Sequence, residues 1–177
     1  MNLFTGEASR ELFGQQAGMP AVVRAMLQEA QEAEPERREV LLWTARAAAP
    51  DCLPTYYLLC KFYATRRDFE LSGRVARRGL SEAARQADLD EDWRRVSHAA
   101  ADFSQPGPAR FWLFMLKALA FICLRAGEHG EARALLDKIQ DLDPGDSLGA
   151  RVIGALAEAA APPPRATFRT AARKPRP

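Results

Sequence analysis

The chain has 177 residues, 47% of them apolar, and a formal charge of +2. That length can hold one domain with a core of its own, and the apolar share excludes wholesale disorder. So small a charge does not by itself provide a nucleic-acid-binding surface.

Helix-forming Ala, Leu, Arg and Glu dominate the chain, whereas alternating strand patterns and Asn-Gly hairpin turns are scarce. The expected fold class is all-α. Glu7, Arg10 and Glu11 arrive before an apolar run can build, so no secretory signal is expected, and a first helix is predicted over 7–16. Gly18-Met19-Pro20, Pro35, Pro50-Asp51 and Pro54 then separate helices predicted over 20–33, 36–49 and 54–66. Proline suits the first turn of a helix and breaks its interior, so these positions mark starts and stops. Helices are predicted next over 69–87 and 91–102. Gln105-Pro106-Gly107-Pro108, Gly127 and Pro144-Gly145 bound helices over 109–126, 129–142 and 147–160.

The most apolar stretch, Phe111 to Leu124, is shorter than the ~20 residues of a membrane span, and Lys117 sits in its middle. It is read as a buried core helix, and the protein as cytoplasmic with no membrane partner. Residues 161–177 carry Arg165, Arg169, Arg173, Lys174 and Arg176 without an acid, a charge of +5 that leaves −3 (2 − 5) for residues 1–160. This Pro/Arg-rich tail lacks core-forming residues and is predicted to be a flexible segment.

The chain repeats itself. At an offset of 60, Leu59 falls on Leu119, Cys60 on Ala120, Tyr63 on Cys123, Asp68-Phe69 on Glu128-His129, Ser72 on Ala132 and Gly79 on Ile139. At an offset of 34, Val22 falls on Tyr56, Ala25 on Leu59, Leu42 on Ala76 and Ala45 on Gly79. Small residues recur where two helices must approach closely, and large apolar ones where they interlock.

This pattern resembles the tetratricopeptide repeat (TPR) family, whose unit is a 34-residue helix–turn–helix with a closing proline. Residues 113–146 carry it best, through Leu119-Ala120, Gly127, Ala132 and Asp143-Pro144. Residues 53–86 agree through Tyr56, Leu59, Cys60, Tyr63, Asp68-Phe69, Ser72 and Gly79 but have Ala84 in place of the closing proline. Residues 19–52 are degenerate, with Pro35 in the turn and Arg38 where a small residue is usual. The resemblance implies a TPR-like domain over 1–160. It would be a short right-handed solenoid of antiparallel hairpins, with a helical insertion over 87–112 and a capping helix over 147–160. Val152, Ile153, Leu156 and Ala160 give that cap an apolar face. In the insertion, Asp88, Asp90, Glu91 and Asp92 precede Trp93, Val96, Ala100 and Phe103, as acids precede the apolar face of a helix.

Catalytic patterns are missing. No HExxH, P-loop or GxGxxG is present, and neither His98 nor His129 is paired in sequence with a candidate nucleophile. Cys52, Cys60 and Cys123 fit no metal or redox spacing and read as free thiols, the last two at helix-packing positions. The expectation is a non-enzyme with no cofactor and no metal.

The resemblance places Tyr57, Lys61, Phe114, Lys117, Phe121 and Arg125 on a concave groove, with Val23 and Leu27 from the degenerate unit. Aromatic residues and cations together suit a peptide or amphipathic helix that carries acids. The expected function is a protein-binding adaptor or accessory/assembly factor. Val23 and Leu27 cannot form the Lys/Asn carboxylate clamp with which chaperone-tail binders of the family hold their ligand. The alternative is a nucleic-acid-associated regulator using Arg165, Arg169, Arg173, Lys174 and Arg176, a weaker pattern for nucleic acid.

Overall fold

The computed structural model describes residues 19–160. These contain seven α-helices and no strand: α1 (Ala21–Glu32), α2 (Pro35–Ala48), α3 (Leu53–Thr65), α4 (Phe69–Ala87), α5 (Pro108–Ala126), α6 (His129–Leu142) and α7 (Arg151–Ala160). The helix predicted over 7–16 and the basic tail over 161–177 lie outside the described residues.

Local chemistry sets the helix ends. Pro35, Pro54 and Pro108 occupy first-turn positions. The Asp68 carboxylate accepts the Leu71 N–H at 2.9 Å and starts α4. Gly127, at φ +85°, ends α5, and the Glu128 N–H donates to the Cys123 carbonyl at 2.8 Å. Arg38, out of place in the repeat pattern, has its own task. Its guanidinium crosses the α1–α2 turn to the carbonyls of Ala30 (2.8 Å) and Ala33 (2.9 Å), capping a helix end that has no basic residue in its last turn.

Consecutive helices pack on one another along the chain, and α5 lies at the centre, against α3, α4, α6 and α7. Fourteen of its residues are buried, including Phe111, Trp112, Leu113, Met115 and Leu116. Small residues let α3 and α4 approach. A Cβ on Gly79 would stand 2.9 Å from the Tyr56 Cβ. Ser72, in α4, donates its hydroxyl to the Cys60 carbonyl at 3.0 Å. Between α2 and α3, the Trp43 indole N–H donates to the Tyr63 hydroxyl (2.8 Å), which donates to Glu39.

The predicted helix over 91–102 does not form. Only His98–Ala100 makes a short 3-10 turn in an otherwise irregular loop between α4 and α5. The acids act against a helix here. Asp90 and Asp92 accept the N–H groups of residues two positions on, Asp92 (2.8 Å) and Arg94 (3.1 Å), and Asp102 accepts that of Ser104 (2.9 Å). Such local bonds offer the backbone an alternative to the helical ladder. The loop is held by Leu89, Val96 and Phe103, all buried. Lys138 of α6 donates to the Val96 carbonyl at 3.0 Å, and the Phe103 and Trp112 rings lie 5.9 Å apart.

The last helix starts later than predicted, at Arg151. Asp143 and Asp146 organise the preceding loop. Asp143 accepts from the Ser147 hydroxyl and the Leu148 N–H, both at 3.1 Å, and Asp146 accepts from the Ala150 N–H at 2.5 Å. Ile153 is buried, while Val152 and Leu156 are exposed. No described helix is long and apolar enough to cross a membrane.

Candidate functional site

The six side chains assigned to the groove divide between interior and surface. Tyr57 on α3 and Phe114 on α5 are 2% and 3% exposed, with ring centroids 5.7 Å apart. Val23 and Leu27 are likewise buried. Lys117 is 6% exposed, and its Nζ donates to the Leu148 carbonyl and lies 5.5 Å from the centre of the Phe114 ring. Burial pushes its pKa below the usual lysine value, opposed by the nearby Asp146 carboxylate. Tyr57, Phe114 and Lys117 are therefore corrected from surface contacts to packed positions. For Lys117 the cause is the Asp143–Asp146 loop, which folds back and sets a carbonyl over the amine. Arg110, one helical stretch earlier, is tied down similarly, by the Phe103 carbonyl (3.2 Å) and the Ser147 hydroxyl (3.3 Å).

The other three positions reach solvent. Lys61 and Phe121 are half-buried and Arg125 is exposed. The Arg125 guanidinium lies 5.5 Å from the Phe69 ring centre and 5.9 Å from that of Phe121. Phe69, the first residue of α4, is half-buried. Two aromatic rings thus hold a cation in place at the C-terminal end of α5. The attraction of a guanidinium to a ring face contributes about 0.5–1 kcal/mol at an exposed site. Sequence reasoning used Phe69 only in the Asp68-Phe69 repeat match and did not place it on the surface. Its alignment with His129, in the corresponding turn of the next unit, was the available signal.

One other cluster brings ligand-type atoms together. Those of Cys123, Glu128 and Glu131 lie within 4.8 Å of one another. Arg77 already engages both carboxylates, at 3.8 Å and 3.2 Å. Burial and a hydrogen bond to Glu128 push the Cys123 thiol up to about 12. A protonated thiol beside two carboxylates that have a counter-ion reads as a link between α4 and the α5–α6 turn, not as a metal centre. Cys60 is also buried, with its thiol pushed up to about 11 by desolvation and opposed by a bond to Ser72. Neither thiol has the thiolate character that nucleophilic chemistry needs. His98 and His129 are exposed, and Asp102, four residues after His98, accepts the Ser104 hydroxyl at 2.5 Å.

Arg165, Arg169, Arg173, Lys174 and Arg176 lie outside the described residues.

No protein-family model matches the chain. No solved structure matches it. The chain is 31% identical over 115 residues to an uncharacterized 19.8 kDa protein in the nifW 5′ region of Azotobacter chroococcum mcd 1. That similarity covers 63% of this chain and 64% of the relative, so the chain spans a little under two thirds of the relative's length.

Proposed function

We propose that this protein is a non-catalytic adaptor or accessory factor of TPR type. It docks a protein partner at the C-terminal ends of α3 and α5, where Lys61, Phe69, Phe121 and Arg125 reach solvent. The observation that carries this reading is the Arg125 guanidinium set against the Phe69 and Phe121 rings on an exposed edge. Pre-positioned Arg and aromatic side chains are the residues that most often dominate the free energy of protein association. The cations Lys61 and Arg125 favour an acidic peptide or helix, and the buried, protonated thiols favour a binding role over catalysis. The relative's name gives it a place beside nifW and no activity. The genes beside this chain are therefore the first source of partners to try.

The test is capture of partners by the full-length protein from native lysate, followed by titration of each captured protein. The double variant Phe121→Ala/Arg125→Ala should weaken binding by about 30-fold or more, the loss expected when a central anchor is removed. A variant truncated before residue 161 should bind as the full chain does. Full affinity in the folded double variant would overturn the assignment.

A further inference from the structure

α5 carries two buried cations, Lys117 and Arg110, and both reach the segment that joins α6 to α7. The Lys117 amine donates to the Leu148 carbonyl, and the Arg110 guanidinium donates to the Ser147 hydroxyl at 3.3 Å. The Asp143 and Asp146 carboxylates add an electrostatic attraction to Lys117. The same two acids shape the segment from within. Asp143 accepts from the Ser147 hydroxyl and the Leu148 N–H, and Asp146 accepts from the N–H groups of Ala150 (2.5 Å) and Arg151 (3.2 Å). The apolar hold is small beside this polar one. In residues 143–158, Ala150 and Ile153 are buried, Leu148 and Ala157 are half-buried, and Val152 and Leu156 are exposed. Ile153 is the one large side chain of this stretch that is fully buried.

We propose that residues 143–160 form a lid on α5, latched by Lys117 and Arg110, which opens as a unit while α3, α4 and α5 stay folded. Segments with few buried apolar side chains open at a fraction of the free energy of global unfolding. The latch makes the opening cooperative. A half-closed lid would leave the ammonium buried without an acceptor, which is costly, so the hydrogen bonds and the helix release together. In the open form water satisfies the carbonyl, the hydroxyl and both cations, which keeps the net loss modest. Once detached, α7 has ten residues, too few for a helix to persist alone in water. The open form also presents what the closed form hides, the Lys117 amine, to water and to any acylating reagent.

The first measurement is hydrogen exchange in the full-length chain, without urea and at low urea concentrations. Amides of residues 148–157 should exchange at least about tenfold faster than those of α5, with a weaker dependence on urea, as local opening exposes less surface. Protection and urea dependence equal to those of α5 overturn the proposal. So does an absence of protection, because no closed state then exists. The second measurement is acetylation of Lys117 by acetic anhydride, mapped by peptide mass spectrometry. Ile153→Ala removes the main apolar anchor of the lid and should speed that acetylation by about tenfold or more, while α3 amides keep their protection. An unchanged rate at Lys117, or an equal rise in α3 exchange, overturns the proposal. Neither measurement involves Phe121 or Arg125, so the docking reading above stands or falls separately.

Discussion

Two glycines of the same helix should respond to one substitution with opposite signs. Gly73 and Gly79 both lie in the interior of α4 (Phe69–Ala87) and both are buried. In a helix interior, Gly→Ala gains about 1 kcal/mol by restricting the unfolded chain and improving helix propensity. That gain is the same at both sites and cancels in their comparison. What differs is the space. At Gly73 an added Cβ meets the Arg77 guanidinium at 3.2 Å and Ile122 Cγ2 at 3.5 Å. The first neighbour is the end of a flexible, exposed side chain, and the second is in ordinary contact. At Gly79 the Cβ meets the Tyr56 Cβ at 2.9 Å and Met115 Cε at 3.2 Å. The Tyr56 Cβ is fixed to the α3 backbone, so the helices themselves must part. Overpacking of this kind costs about 1–3 kcal/mol. Gly73→Ala is therefore expected to be stabilising by up to about 1 kcal/mol, and Gly79→Ala to be destabilising by up to about 2 kcal/mol. In a chain of this size, 1 kcal/mol moves the melting temperature by about 2–4 °C. Urea unfolding followed by circular dichroism at 222 nm, with the two variants run beside the parent, measures the difference directly. If Gly79→Ala proves as stable as Gly73→Ala, the close α3–α4 crossing is not what this structure describes, and the small-residue argument from the repeat fails with it.

Two further outcomes follow from the loop and the thiols. Phe103→Ala should cost about 3–5 kcal/mol in the same unfolding assay, as loss of a buried aromatic does, because Phe103 packs on Trp112 and pins the α4–α5 loop to the core. Trp93→Ala, at a half-buried position where Arg94 stacks on the indole, should cost far less. The Cys60 and Cys123 thiols are pushed up to about 11 and about 12 from an ordinary value of 9.0. Above pH 9 the folded state therefore retains protons that the unfolded state has released, and stability should be fully present below pH 9 and fall between pH 9 and about 12. Cys60→Ala should flatten that fall, and in the folded parent at pH 8 a thiol reagent should modify half-buried Cys52 first, reaching Cys60 and Cys123 only on unfolding.

How much of this was legible in the sequence depends on how local the cause is. Helix ends are set within four or five residues by Pro35, Asp68 and Gly127, and each can be read in place. The close crossing of α3 and α4 is also legible, because small residues recur in register, Gly79 with Ala45 and Ser72 with Ala132. The loop over 88–107 was misread because its apolar spacing has two solutions. Trp93, Val96, Ala100 and Phe103 could form a helical stripe. Leu89, Val96 and Phe103 can equally be three separate anchors of an irregular chain, and the Asp90, Asp92 and Asp102 side chains tip the balance by taking backbone N–H groups from the helix. The groove shows a different limit. Repeat phase says which way a side chain points from its own helix but not what lies in front of it. Lys117 and Arg125 occupy one helix two turns apart, and both read as groove cations. The difference arises 31 residues from Lys117, where Asp143 and Asp146 fold the chain back so that the Leu148 carbonyl receives the amine. Arg125 escapes because it lies toward the other end of α5, beyond the reach of that loop, beside the Phe69 and Phe121 rings. Of the six positions that the repeat pattern sends to one face, those that still reach solvent, Lys61, Phe121 and Arg125, lie toward the C-terminal ends of α3 and α5.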